Sequence, residues 1–118
     1  MARLSTHVLD TSHGGPAEGV AIDLYFCGDG EVREHLKAVA TNPDGRTDEP
    51  LLAGDALRTG IYEIRFHAGE YFRQMETPMP EPRFLDEITV RFGIADARGN
   101  YHVPLLVSPY SYTTYRGS

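Results

Sequence analysis

Apolar residues recur at every second position at Val20, Ile22, Leu24 and Phe26, at Tyr62, Ile64 and Phe66, at Ile88, Val90, Phe92 and Ile94, and at Tyr101, Val103, Leu105 and Val107. Side chains two apart lie on one face of an extended chain, so each run predicts a strand with that face on a core. Residues 4–10 predict a further strand, and the Tyr- and Thr-rich stretch 111–116 a short last one. Gly28-Asp29-Gly30 supplies the positive backbone angles of a tight hairpin, with residues 31–41 returning beside the first run. Gly14-Gly15-Pro16, Asn42-Pro43-Asp44-Gly45, Gly54-Asp55 and Gly99-Asn100 place reversals between the other runs. Only residues 68–76 break the pattern: Tyr71, Phe72 and Met75 fall at helical spacing, and the prolines from Pro78 to Pro82 forbid continuation. The expectation is an all-β sandwich with one short helix.

A chain of 118 residues has room for one core, so residues 1–118 are read as a single domain. Eleven Lys and Arg against seventeen Asp and Glu leave a net charge of −6, which repels a phosphate backbone, and no nucleic-acid partner is expected. The apolar runs, such as 103–107, are far below the roughly 20 residues of a membrane helix. The first residues carry no apolar stretch of a secretory signal, so the cytoplasm is the expected location. The single cysteine, Cys27, has no disulfide partner in the chain and no neighbour at metal-ligand spacing.

There is no Gly-x-Ser-x-Gly elbow, no phosphate-cradling glycine loop and no His-Glu-x-x-His helix. The five histidines are His7, His13, His35, His67 and His102, and no two have the spacing of a local metal site. His7 and His102 each lie inside a predicted strand. His7 shares a face with Ser5 and Leu9, and His102 one with Pro104, Leu106 and Ser108, opposite the face of Tyr101, Val103, Leu105 and Val107. A strand apolar on both sides predicts that its second face lines a pocket or packs on another subunit. Arg46 follows a turn and alone reads equally as a solvated charge or as a planar fork for an anionic or lactam-like ligand. The end of the sequence stays aromatic and β-prone through Tyr115-Arg116-Gly117-Ser118, which predicts that something holds it.

Three segments together carry a family resemblance: Leu4-Ser5-Thr6-His7-Val8-Leu9-Asp10-Thr11, Thr41-Asn42-Pro43-Asp44-Gly45-Arg46, and Tyr101-His102-Val103-Pro104-Leu105-Leu106-Val107-Ser108-Pro109-Tyr110 running on to Tyr115-Arg116-Gly117-Ser118. They resemble the transthyretin-related 5-hydroxyisourate hydrolase family over nearly the whole chain. The terminal Tyr-Arg-Gly-Ser and the histidines distinguish that family from the carrier transthyretin, which shares the fold. The resemblance implies a transthyretin-like sandwich of two four-stranded antiparallel sheets with one short helix. It also implies a homotetramer, a dimer of dimers with sites in the channel between dimers. The implied reaction opens the lactam of 5-hydroxyisourate to 2-oxo-4-hydroxy-4-carboxy-5-ureidoimidazoline in urate catabolism, with no metal or organic cofactor. Carried over by motif, His7, Arg46, His102 and Ser118 would be catalytic, and Tyr115, Arg116 and Gly117 would bind substrate. Ser111, Thr114 and Val107 depart conservatively from the family pattern, and Arg83-Phe84-Leu85-Asp86-Glu87 departs further, in a loop.

Lactam hydrolysis needs an activated water and stabilisation of the developing oxyanion, for which a histidine base and nearby donors are suited. His7 is assigned as the base, Arg46 as the substrate clamp, His102 as the residue that orients substrate or shares the proton work, and Ser118 as closing the pocket from a neighbouring subunit. Two other readings compete with this one. A carrier would bind a small aromatic without turnover, and an interaction module would be a monomer with no site.

Overall fold

A computed structural model describes residues 2–118. The strands are β1 (Arg3–Asp10), β2 (Gly15–Pro16), β3 (Ala21–Gly28), β4 (Glu34–Ala40), β5 (Leu52–Ala53), β6 (Gly60–His67), β7 (Glu87–Ile94), β8 (Asn100–Val107) and β9 (Tyr112–Thr114), with one α-helix among the described residues, α1 (Ala68–Gln74), after β6, and a single 3-10 turn at Gly54–Ala56 after β5. They form two sheets. One is the antiparallel order β4-β3-β6-β7, and the other runs β2-β1-β8-β9 with β5 also on β1. Alternation decides the faces as expected. Leu4, Val8, Tyr101, Val103, Leu105 and Val107 point inward from one sheet, and Ile22, Leu24, Tyr62, Ile64, Phe66, Ile88, Val90 and Ile94 from the other. Each large apolar side chain taken out of water there contributes about 1.5–3 kcal/mol.

The second sheet departs from the four-stranded antiparallel expectation in two ways. It has five strands, because β2 and β5 are two-residue segments too short to show a period. And β1 pairs with β8 in parallel, in the register Ser5↔His102, His7↔Pro104 and Leu9↔Leu106. Periodicity fixes which face a strand buries but not its direction. Only a hairpin forces antiparallel pairing, and most of the chain lies between β1 and β8. β4 and β9 are shorter than predicted, and α1 ends at Gln74. There Glu76, at φ 58°, closes the helix, with Thr77 N–H donating to the Phe72 carbonyl and Glu76 N–H to that of Arg73. Met75 therefore lies outside the helix and is exposed, while Tyr71 and Phe72 hold the core side.

At the end of β1 a fully buried carboxylate ties α1 to the sheet. Asp10 accepts from Tyr71 Oη at 2.8 Å, Ser12 Oγ at 2.6 Å and His13 Nδ1 at 2.5 Å. Burial alone would raise the Asp10 carboxyl, but the bonds from Ser12, Tyr71 and His13 outweigh it and hold the group below its ordinary 3.8. Because the folded-state value is the depressed one, this stabilisation is complete above pH 3.8 and is lost as the pH falls through the folded value. Asp10→Ala orphans buried donors and is expected to lower unfolding free energy by about 2–4 kcal/mol at pH 7. Urea titrations should find that difference shrinking below pH 4. A constant difference down to pH 2 would remove the carboxylate from the explanation.

Candidate active site

Beside the middle of β1, between the points where β2 and β5 pair, the turn Asn42-Pro43-Asp44-Gly45-Arg46 docks against the sheet. Val8 N–H donates to the Gly45 carbonyl at 2.7 Å. The Asn42 Oδ1 accepts from the N–H groups of Asp44 at 2.9 Å and Arg46 at 3.1 Å, the local bonding for which Asn is favoured in turns. His7, half-buried on the outer face of β1, reaches the same turn: its Nε2 lies 2.9 Å from the Asp44 carbonyl oxygen. A carbonyl can only accept, so Nε2 carries the hydrogen and the neutral ring keeps its lone pair on Nδ1, which makes no hydrogen bond among the described residues.

The parallel register puts His102 directly across from Ser5 and one step diagonally from His7, on the same outer face. Its Nδ1 is 2.9 Å from Ser5 Oγ. Burial, then the positive charges of Arg46, His7 and Arg3, push the imidazole below its ordinary 6.5, so it is neutral at pH 7. After β9 the chain runs on beside β8 in the same register and reaches this ring. Gly117 N–H donates to the His102 carbonyl at 2.7 Å, and a Cβ at Gly117 would stand 2.7 Å from His102 Cδ2. Glycine is needed here for space, and the close approach brings Ser118 to the groove. The result is a polar pocket of about 270 Å³ lined by Arg3, Ser5, Arg46, Asn100, Tyr101, His102 and Ser118.

The structure gathers Arg46, His102 and Ser118 on one groove. Ser118, expected from a neighbouring subunit, reaches it from the same chain, because the bridge from Gly117 to His102 carries the chain end there. His7 and Gly117 lie beside the groove without lining it. The structure does not bring Tyr115 and Arg116 there. Both line a separate, more apolar groove with Val90, Arg91, Phe92 and Gly93 of β7. The Arg116 guanidinium lies 4.1 Å over the Tyr101 ring and donates to the Asn100 carbonyl at 3.1 Å, so it anchors the tail. Sequence reasoning missed Ser5 and Arg3 as groove residues, although both share the parity of His7 on β1. Arg33, Arg58, Arg65, Arg73, Arg83, Arg91 and Arg98 all pair with carboxylates, whereas no ion pair among the described residues includes Arg3, Arg46 or Arg116. In an acidic chain this concentrates free positive charge at and beside the groove.

The other histidines have partners elsewhere. His13 binds Asp10, while His35 and His67 each place Nε2 2.8 Å from an oxygen of Asp23 on the opposite sheet. The bonds from His67 and then His35 hold the Asp23 carboxyl below its ordinary range. No His, Cys, Asp or Glu cluster among the described residues is arranged to hold a metal ion, and no helix is long and apolar enough to cross a membrane.

Comparison with known proteins agrees with this architecture. Residues 4–117 match the HIUase/Transthyretin family. A 5-hydroxyisourate hydrolase of Mesorhizobium japonicum is 60% identical over 98% of this chain and 92% of its own length. 5-Hydroxyisourate hydrolase 2 of Rhizobium meliloti is 56% identical over 98% and 96%. The solved Klebsiella pneumoniae 5-hydroxyisourate hydrolase superposes with a TM-score of 0.82 at 33% identity, each chain covered in full. A crystal structure of (S)-allantoin synthase superposes at 0.94 with 44% identity, but this chain spans 44% of that longer protein. With the fold, the groove and matches along nearly its whole length in agreement, the chain belongs to the HIUase/transthyretin family.

Proposed function

We propose that this chain is a 5-hydroxyisourate hydrolase, one domain over residues 1–118, that opens the lactam of its substrate with water. The observation that carries the mechanism is the hydrogen bond from His7 Nε2 to the Asp44 carbonyl, which leaves Nδ1 as a base beside Arg46 and the neutral His102. His7 Nδ1 takes a proton from water as the water oxygen bonds to the lactam carbonyl carbon, and the carbonyl electrons move onto its oxygen. Arg46 holds the planar substrate and faces the oxyanion. With Nδ1 of His102 engaged by Ser5, its Nε2 is left to orient the ring. Collapse breaks the C–N bond, the leaving nitrogen recovers the proton from His7, and the carboxylic acid formed gives its remaining proton to solvent, leaving a carboxylate. Neither a metal nor a cofactor takes part in these steps.

Ser118 caps the groove, and Gly117, Tyr115 and Arg116 hold the tail that delivers it. In our reading four copies assemble as a dimer of dimers in the cytoplasm, with the groove facing the channel between dimers. The half-apolar outer face of Leu9, Pro104 and Leu106 beside the groove supports that assembly. Faster loss of 5-hydroxyisourate absorbance with the protein than without it tests the activity, and a folded protein that leaves the decay unchanged would contradict it. His35→Ala and His67→Ala are expected to keep the wild-type rate, because both side chains face away on the other sheet. Steady-state kinetics of the two variants checks this, and an inactive His35→Ala or His67→Ala protein would require the site to be redrawn.

A further inference from the structure

Two of the groups assigned above, the base and the clamp, depend on one short turn. Asp44 supplies the carbonyl that fixes His7, and Arg46 leaves the turn two residues later. Neither position is set by strand pairing. Both backbone N–H groups, those of Asp44 and Arg46, are held by the same atom, Asn42 Oδ1. The Asn42 N–H donates to the Arg46 carbonyl at 2.7 Å, its carbonyl accepts from Gly45 N–H at 2.8 Å, and its Nδ2 donates to Asp48 Oδ1 at 3.1 Å. Backbone bonds close the turn, and the Asn42 side chain alone holds the Asp44 and Arg46 N–H groups and ties the turn to Asp48.

Resting on the hydrolase reading, we infer that Asn42 is a positioning residue for the reaction: through the Asp44 carbonyl it fixes the hydrogen of His7 on Nε2, and through the Arg46 N–H it aims the clamp. The carbonyl plays the part that a carboxylate plays behind a catalytic histidine, holding one ring nitrogen as a donor so that the other is the base. It also favours the protonated ring that forms during reaction, because a cationic N–H donates more strongly than a neutral one.

The test compares Asn42→Ala with Asn42→Asp, which keeps an acceptor oxygen for both N–H groups. The charged groups of groove and turn, His7, His102, Arg3, Arg46, Asp44 and Asp48, stay in place in both. Asn42→Ala is expected to lower kcat/KM on the order of 10²-fold, as for a misplaced catalytic group. Asn42→Asp should recover part of the rate, because it keeps the acceptor for both N–H groups but sets a second carboxylate oxygen against Asp48 Oδ1, where Nδ2 donated. Nitrogen-15 spectra of His7 in the wild-type protein give a readout that needs no turnover and no variant, and neutral His7 should carry its hydrogen on Nε2. A hydrogen on Nδ1, or an Asn42→Ala enzyme with the wild-type kcat/KM, would overturn the inference. Absence of turnover by the wild-type protein would instead overturn the hydrolase reading and leave the nitrogen-15 result standing.

Discussion

Gly45→Ala is expected to cost the protein both stability and activity. Gly45 sits at φ 76°, a left-handed conformation that an L side chain adopts at a cost of roughly 1–2 kcal/mol. The added Cβ would also run into the Val8 carbonyl oxygen and come within 3.0 Å of Pro16 Cβ, so the turn must lift away from β1. Lifting it strains the Val8 N–H to Gly45 carbonyl bond and the His7 to Asp44 carbonyl bond together. The combined loss is about 2–4 kcal/mol of unfolding free energy. The rate should fall by on the order of 10²-fold even in protein that remains folded, since both the base and Arg46 lose their placement. Thermal unfolding and steady-state kinetics on one preparation check this. A Gly45→Ala protein with the wild-type melting temperature and rate would mean that the turn does not set the site.

His7→Ala is expected to lower kcat/KM by about 10² to 10⁴-fold, the range for loss of a general base. The fold should survive, because the side chain is half-buried on the outer face and the core residues of β1, Leu4 and Val8, are untouched. His102 makes a poor substitute. Its Nδ1 is engaged by Ser5, and burial with Arg46, His7 and Arg3 holds it below the ordinary histidine range, which weakens it as a base. Circular dichroism should match the wild type while the rate falls. An unchanged rate would move the base elsewhere, with His102 the next group to test.

Much of the sandwich could be read from the sequence because burial of one face writes itself into every second residue, as at Tyr101, Val103, Leu105 and Val107. The same parity put His7 and His102 on outward faces. That they meet could not be read, since Ser5 and His102 are 97 positions apart and nothing local encodes a parallel pair. The tail showed itself as unusually β-prone, and it is held by the Gly117 to His102 bridge. Past Thr114 the tail keeps the antiparallel register of β9 on β8, which sets Arg116 on the parity of Thr114 and over Tyr101, so Tyr115 and Arg116, expected at the site by motif, line the neighbouring groove instead. Asn42 was visible as a turn former, but its work of orienting another element's histidine is a tertiary fact.

The central claim is that this groove hydrolyses 5-hydroxyisourate. The most direct test follows the ultraviolet absorbance of that compound, made in situ by urate oxidase, with and without the folded protein at equal pH. Decay well above the spontaneous rate, retained by His35→Ala and reduced to near baseline by His7→Ala, is the predicted result. Decay at the spontaneous rate in the presence of folded wild-type protein would contradict the account and leave the groove as a binding site without turnover.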